Sequence, residues 1–311
     1  MSTIFKAEDL QNRNQPVAVK VPLPIFSSGV GSWSIFQREE EIGRKLDHPC
    51  ILKFLPLPVN KRRTYVVTEY VAGRTLAERL RAEGPLPEAE ALRIAGQICA
   101  GVEHMHERGF VHYDLKPANV ILCPDGGLRV LDLGLAHDAV AGGFAFGGPS
   151  PAIGSSDYVA PEQIRRKRGR KTADIYGVGA VIYEMLTGQP PFPGDDPFVV
   201  ASARTLGDPP APRAVNPRIS RQAEEIALRA LQRDPAQRYP SIAAMKAALA
   251  SPELVAITGL CERLQPVTRA RRAWRIARYV TVVAVVPLAA QVVLFVLLWR
   301  HFLRHPSRLT P

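Results

Sequence analysis

The stretch His112-Tyr113-Asp114-Leu115-Lys116-Pro117-Ala118-Asn119 constrains this chain more than any other. It places one carboxylate, one ammonium and one amide within six residues, between apolar Val111 and the run Val120-Ile121-Leu122. The flanks read as short buried strands, so the polar residues fall on a tight loop with a rigid base. Such a loop suits phosphoryl transfer from a nucleotide. An aspartate orients and deprotonates an attacking hydroxyl, a lysine neutralises the moving phosphate, and an asparagine ligates Mg²⁺.

Composition narrows the partners. The net charge is +11, and much of it lies in two clusters, Arg165 to Lys171 and Arg269 to Arg278. Neither cluster comes with an aromatic-interleaved groove or zinc spacing, so no nucleic-acid partner is expected. Cys50, Cys99, Cys123 and Cys261 are scattered without paired spacing and read as reduced, mostly buried thiols. No N-terminal signal peptide is visible.

Two further motifs follow in order, Asp132-Leu133-Gly134 and Ala160-Pro161-Glu162. With the Asp114 loop they resemble the HRD, DFG and APE elements of the bacterial eukaryotic-type (Hanks-type) Ser/Thr protein kinases. The resemblance covers roughly residues 2–250. It implies an α+β, bilobal protein-kinase fold over residues 1–252, with a small strand-rich lobe over about 1–70 and a larger helical lobe over about 71–252.

The resemblance also assigns roles. Val17-Ala18-Val19-Lys20 ends a hairpin strand, with Lys20 on the α- and β-phosphates of ATP and Ala18 over the adenine. A helical pattern is expected from Arg38 to Leu46. Counting back from His48-Pro49, Glu39 is the carboxylate that holds Lys20, while Glu40 and Glu41 read as a solvated face. Tyr65 to Val71 is a strand leading into the hinge, with Thr68 as gatekeeper and Glu69 and Val71 in the adenine-binding connector. Asp114, Lys116 and Asn119 are the implied catalytic set, and Asn119 with Asp132 the implied ligands of Mg²⁺ or Mn²⁺. Gly134 permits the turn behind Asp132. Gly154 to Val159 is similar to the substrate-facing element, with Ser155 in place of Thr. Glu162 is expected to pair with Arg238, and Asp174 to cap the catalytic-loop backbone. Two helices are expected near Leu76 to Leu80 and from Pro87-Glu88 past Val102. His104 and His106 read as buried or capping residues, because no third metal ligand is near.

Two features depart from the family pattern. Residues 1–19 contain no glycine, so the Gly-rich loop and the first strand of the small lobe are missing before Lys20. Because Ser2 to Ala7 resembles the strand after that loop, Met1 reads as an internal methionine with the loop encoded upstream; the competing reading is a real truncation. The second departure is Tyr113 where the family usually has Arg, which makes control by a phosphorylated activation segment less expected. The segment from Ala136 to Ile153 is rich in Gly and Ala and reads as mobile.

Beyond the expected domain, residues 253–278 read as a basic juxtamembrane linker. Tyr279 through Trp299 is an uncharged run of 21 residues, long enough as a helix to cross about 30 Å of hydrocarbon. Arginines crowd its N-terminal side, which predicts a single-pass anchor in the inner or plasma membrane. The kinase domain would then be cytoplasmic, with a short extracytoplasmic tail over 300–311. The expected activity is transfer of the ATP γ-phosphate to Ser/Thr hydroxyls of protein substrates, and a homodimer stays open. Two other classes remain: a membrane-anchored pseudokinase scaffold and a small-molecule phosphotransferase.

Overall fold

In the computed structural model of the chain, the described residues are 2–23, 30–57, 65–133, 137–138, 157–165 and 170–265, with 291, 294–297 and 299–300 beyond them. Residues up to Gln265 form one unit and those from Pro266 a second. In the first unit, alternating Val17 and Val19 make β2 (Gln15–Pro22), which pairs antiparallel with β1 (Ser2–Asp9) from Ser2 opposite Pro22 to Asp9 opposite Gln15. The turn passes through Arg13 and Asn14, both left-handed with φ near +50°. β3 (Val66–Glu69) joins the other edge of β2, setting Ala18 opposite Thr68.

Helix α1 runs Val30–Gly43, so it begins before and ends sooner than the Arg38 to Leu46 pattern suggests. Its last residue is where the Phe54 ring lies against bare backbone: a Cβ on Gly43 would stand 2.3 Å from that ring. Ile42, Leu46, Ile51, Phe54 and Val66 form a buried cluster with Met105, Phe110 and Leu133. That cluster joins the two lobes, and Leu133, standing where the family has Phe, is part of it.

The larger lobe starts with β4 (Arg74–Thr75) and α2 (Leu76–Glu83), whose Thr75 and Glu78 form a reciprocal capping box. Helix α3 (Glu88–Glu107) buries Leu92, Ala95, Ile98, Cys99, Val102 and Met105 on one stripe. α4 is Pro161–Ile164, and α5 (Lys171–Thr187) is apolar and buried over most of its circumference, as a core helix must be. Around them lie α6 (Pro197–Leu206), α7 (Pro212–Val215), α8 (Arg221–Ala230) and α9 (Ile242–Ala250). β5 (Phe110–Val111) pairs with β8 (His137–Asp138), and β6 (Val120–Leu122) and β7 (Leu128–Val130) form a hairpin beside β4. The loop 112–119 is therefore strung between β5 and β6.

The unit does not stop at residue 252. Residues 252–265 fold back on the large lobe, where Thr258 N–H donates to Glu225 Oε1 at 3.0 Å and Gln265 N–H to Asp208 Oδ2 at 2.9 Å. Residues 253–265 of the expected linker thus belong to the first unit, and 266–278 lie outside the described residues. The cysteines are free, and Cys99 is fully buried with its thiol pushed up by burial.

In the second unit the described residues 294–297 and 299–300 are helical, and the Phe295 and Trp299 rings stack 6.2 Å apart. Among the described residues no helix is long and apolar enough to cross a membrane. The expected span 279–299 lies mostly outside them. Gly134 and Gly154 to Ser156 also lie outside the described residues, as does most of the activation segment.

Candidate active site

One wall of the cleft comes from the small lobe. Lys20 sits on β2, and its Nζ donates to Glu39 Oε1 at 2.7 Å and Oε2 at 2.8 Å, reaching Asp132 Oδ1 at 3.4 Å. Burial pulls the Lys20 ammonium down, but Glu39 and then Asp132 hold it above its ordinary value. For Glu39, burial is the larger influence and pushes the carboxyl up against the opposing pull of Lys20. Of the adjacent glutamates, Glu39 alone turns inward. Glu40 pairs with Arg44 and Glu41 with Lys45, each at 2.8 Å one turn along the helix.

At the back of the cleft Thr68 is buried and its hydroxyl donates to Glu69 O at 3.2 Å. Val71 is half-buried in the connector. The Glu69 carboxylate is held from the side, by Lys53 N–H at 3.0 Å and by Arg129 Nε at 2.9 Å. The sequence reading missed Arg129, which stands 60 residues from Glu69 in the chain.

The floor comes from the large lobe. Asp114 Oδ2 accepts from Lys116 Nζ at 2.7 Å and from Asn119 Nδ2 at 3.0 Å, while the same amide donates to Asp114 O at 2.8 Å. The loop backbone is pinned from beneath. Asp174, fully buried in the first turn of α5, accepts from His112 N–H at 2.9 Å, Tyr113 N–H at 2.8 Å and His106 Nε2 at 2.8 Å. Burial alone would raise the Asp174 carboxyl; His106, His112 and the loop amide outweigh it and hold it below its ordinary value. The expected capping role is therefore seen directly, and His106 is part of it.

His112 was legible as the first residue of the motif but not as a strut. Its Nδ1 accepts from Asp114 N–H at 3.2 Å, which leaves the Nε2–H to donate to Leu131 O at 3.0 Å. Leu131 N–H in turn donates to Asn119 O at 2.8 Å. The catalytic loop and the strand end that carries Asp132 are thus one hydrogen-bonded body.

Tyr113 and Asp132 both adopt left-handed backbone, with φ of 66° and 60°. For side chains other than glycine this costs about 1–2 kcal/mol each, and such strain gathers where geometry is functionally constrained. Tyr113 packs among Tyr158, Ala160, Tyr176 and Tyr183, and burial, with Asp174, pushes its phenol up to about 12. It is a neutral aromatic where a phosphate-pairing cation would otherwise stand.

The end of the activation segment is anchored to the large lobe. Tyr158 Oη donates to Glu184 at 2.5 Å, and buried Arg204 Nη1 donates to Val159 O at 2.8 Å. Arg238 grips Glu162 with two nitrogens at 2.7 and 2.8 Å, both residues buried, and braces Thr172 O and Gln232 O as well.

The donor set fits a hard divalent cation. Asn119 directs its amide nitrogen at Asp114, leaving the amide oxygen for a metal, and Asp132 brings a carboxylate whose side chain is 44% exposed toward the cleft. Two oxygen donors completed by phosphates and water suit Mg²⁺ better than a closed protein cage would. Among the described residues no cluster of three or more His, Cys, Asp and Glu side chains forms such a cage.

The protein kinase domain family matches residues 1–251. The chain is 33% identical over 259 residues to the serine/threonine-protein kinase PknB of Mycobacterium tuberculosis (strain H37Rv), a match covering 80% of this chain and 40% of the relative. It is also 33% identical over 247 residues to the serine/threonine-protein kinase PrkC of Bacillus subtilis, covering 79% and 38%. The chain spans about two fifths of the length of the curated relatives it matches.

Proposed function

Because this chain belongs to the protein kinase family, in its bacterial Ser/Thr branch, we propose that it transfers the γ-phosphate of ATP to Ser/Thr hydroxyls of protein substrates. Asp114 takes the proton from the acceptor hydroxyl as its oxygen attacks the γ-phosphorus and ADP departs. Lys116, bonded to the same carboxylate, is placed to follow the negative charge onto the moving phosphoryl. Lys20 holds the α- and β-phosphates under the control of Glu39. Ala18 and Thr68, with the backbone of Glu69 and Val71, receive the adenine. Asn119 and Asp132 hold the divalent cation, which supplies charge neutralisation across the phosphates.

The observation that carries this reading is the convergence of Lys20, Glu39 and Asp132 within hydrogen-bonding reach, from positions 19 and 112 residues apart in the chain. The test uses the full chain with Mg²⁺-ATP and a Ser/Thr protein acceptor, beside aminoglycoside and sugar acceptors. Label should appear on protein Ser/Thr alone, and Asp114→Asn should lower the rate by about 10³-fold. No transfer to any acceptor overturns it, whether or not Mg²⁺-ADP shifts the melting point.

The reading extends to the C-terminus. We propose that residues 279–299 anchor the chain in the membrane with the kinase domain on the cytoplasmic side. The uncharged run and the arginines before it support this. Cell fractionation of the full chain and of a chain ending at Gln265 tests it: both in the soluble fraction would refute the anchor.

A further inference from the structure

Arg129 occupies the middle of β7, three residues before Asp132. Its guanidinium touches three separate pieces of the structure. Nε donates to Glu69 Oε1 at 2.9 Å, at the start of the hinge. Nη1 donates to Pro49 O at 2.5 Å, in the turn that follows the Glu39 helix, and to Leu128 O in its own strand. Glu69 Oε1 accepts at the same time from Lys53 N–H. The strand carrying Arg129 is sewn to that turn by backbone as well, with Val130 N–H donating to Cys50 O at 2.8 Å and Leu52 N–H to Val130 O at 3.0 Å.

The pair itself is too wet to act mainly through stability. The Arg129 and Glu69 side chains are 26% and 29% exposed, and ion pairs so placed contribute little to folding. What sets it apart is what it joins. The three segments are the adenine-side hinge, the turn fixing the helix of Glu39, and the strand that delivers the metal-binding carboxylate. A rigid planar fork can hold two acceptors at fixed angles, which a flexible ammonium cannot.

We propose that Arg129 is a positioning residue for bound nucleotide, fixing the span between the adenine end of the cleft, at Glu69, and its metal end, at Asp132. This rests on the kinase reading of the cleft. It adds that reading's missing link: a strut, outside the motifs, that ties both ends of one ligand together. The closed arrangement in which it is seen, with Lys20 on both Glu39 and Asp132, is the one the strut should favour.

The experiment compares the full chain with Arg129→Met, Arg129→Lys, the exchanged pair Arg129→Glu with Glu69→Arg, and Arg93→Met as control. Arg93 also holds the β6–β7 hairpin, through Gly126 O at 2.8 Å, but at the end away from the hinge. Mg²⁺-ADP affinity is read by calorimetry, and KM for ATP and for the protein acceptor by initial rates. Arg129→Met should weaken Mg²⁺-ADP and raise KM for ATP by roughly five- to tenfold, with the acceptor KM unmoved. The exchanged pair should recover part of the loss, Arg129→Lys less, and Arg93→Met should match the parent. A lowered melting point with unchanged nucleotide affinity would make Arg129 merely structural. A higher kcat in Arg129→Met would make the strut a restraint on the active arrangement, and equal losses in Arg93→Met would remove its specificity; either overturns the proposal. If the parent binds Mg²⁺-ADP but transfers nothing, the kinase reading fails while the affinity comparison still decides the strut. A parent that binds no nucleotide sinks both.

Discussion

Lys20 and Glu39 stand on a three-stranded sheet and one helix, and meet across 19 residues through a single pair of side chains. Asp114, Lys116 and Asn119 stand on a loop whose backbone is already engaged by Asp174 and whose far end is fixed through His112 and Leu131. The first wall can be changed by moving one helix; the second cannot move without breaking a buried carboxylate away from its partners. The contrast assigns different work to the lobes. On the proposed kinase reading, the small lobe would grip the nucleotide, and the large lobe would hold the reacting groups on a backbone already pinned by Asp174.

The largest effect should come from the residue that both walls share. Asp132→Asn removes the carboxylate proposed to hold the metal and a partner of Lys20, and should lower transfer by on the order of 10³-fold. Melting should change little, because asparagine tolerates left-handed backbone at least as well as aspartate does. A loss of stability comparable with the loss of rate would contradict the separation of roles.

Breaking the floor should unfold it instead. Asp174→Asn should cost roughly 3–5 kcal/mol, since it withdraws a buried charge from His106 and two loop amides. The sign of its pH dependence follows from the depressed carboxyl. Its contribution is present above the ordinary aspartate range and is lost as pH falls through the lower folded value. Urea midpoints of parent and variant should therefore differ most near neutrality and converge in acid. A constant difference across the pH range would mean the carboxylate charge is not what holds the loop.

Lys20→Met attacks the first wall. It should reduce kcat/KM for ATP by about 10²-fold with the acceptor KM unchanged. Losing the ammonium also removes what opposes burial at Glu39, so that carboxyl should titrate higher than in the parent. The smallest effect belongs to the neighbour two residues on. Glu41→Gln loses only an exposed pair with Lys45, about 0.3 kcal/mol, and transfer rates should not move. A large effect there would mean that the inward-facing glutamate had been misassigned.

Much of this was legible from residue order alone. The α3 stripe from Leu92 to Val102 and the strand ending near Lys20 follow from periodicity, while the Glu162 to Arg238 brace and the cap supplied by Asp174 were implied by the family resemblance. Other features were not. The start of α1 at Val30 escaped because Gly31, Ser32 and Ser34 are weak helix formers. The strap over 252–265 escaped because it is held by Glu225 and Asp208, contacts that no local pattern encodes. Arg129 read as an ordinary polar residue of a strand, and nothing near it in sequence points to Glu69.

The sequence by itself determined the chemical inventory and its local settings: which carboxylates, ammonium groups and amide the cleft would contain, and that the loop from His112 to Asn119 would lie between two buried strands. Short-range steric and hydrogen-bonding preferences act between neighbours, so they leave a readable trace. The tertiary structure alone decided that Lys20 meets both oxygens of Glu39 and also Asp132 at once, which tautomer His112 adopts, and that one arginine ties the hinge to the strand bearing Asp132. Those outcomes depend on contacts across 19 to 60 residues or more, where packing of the whole core sets the distances.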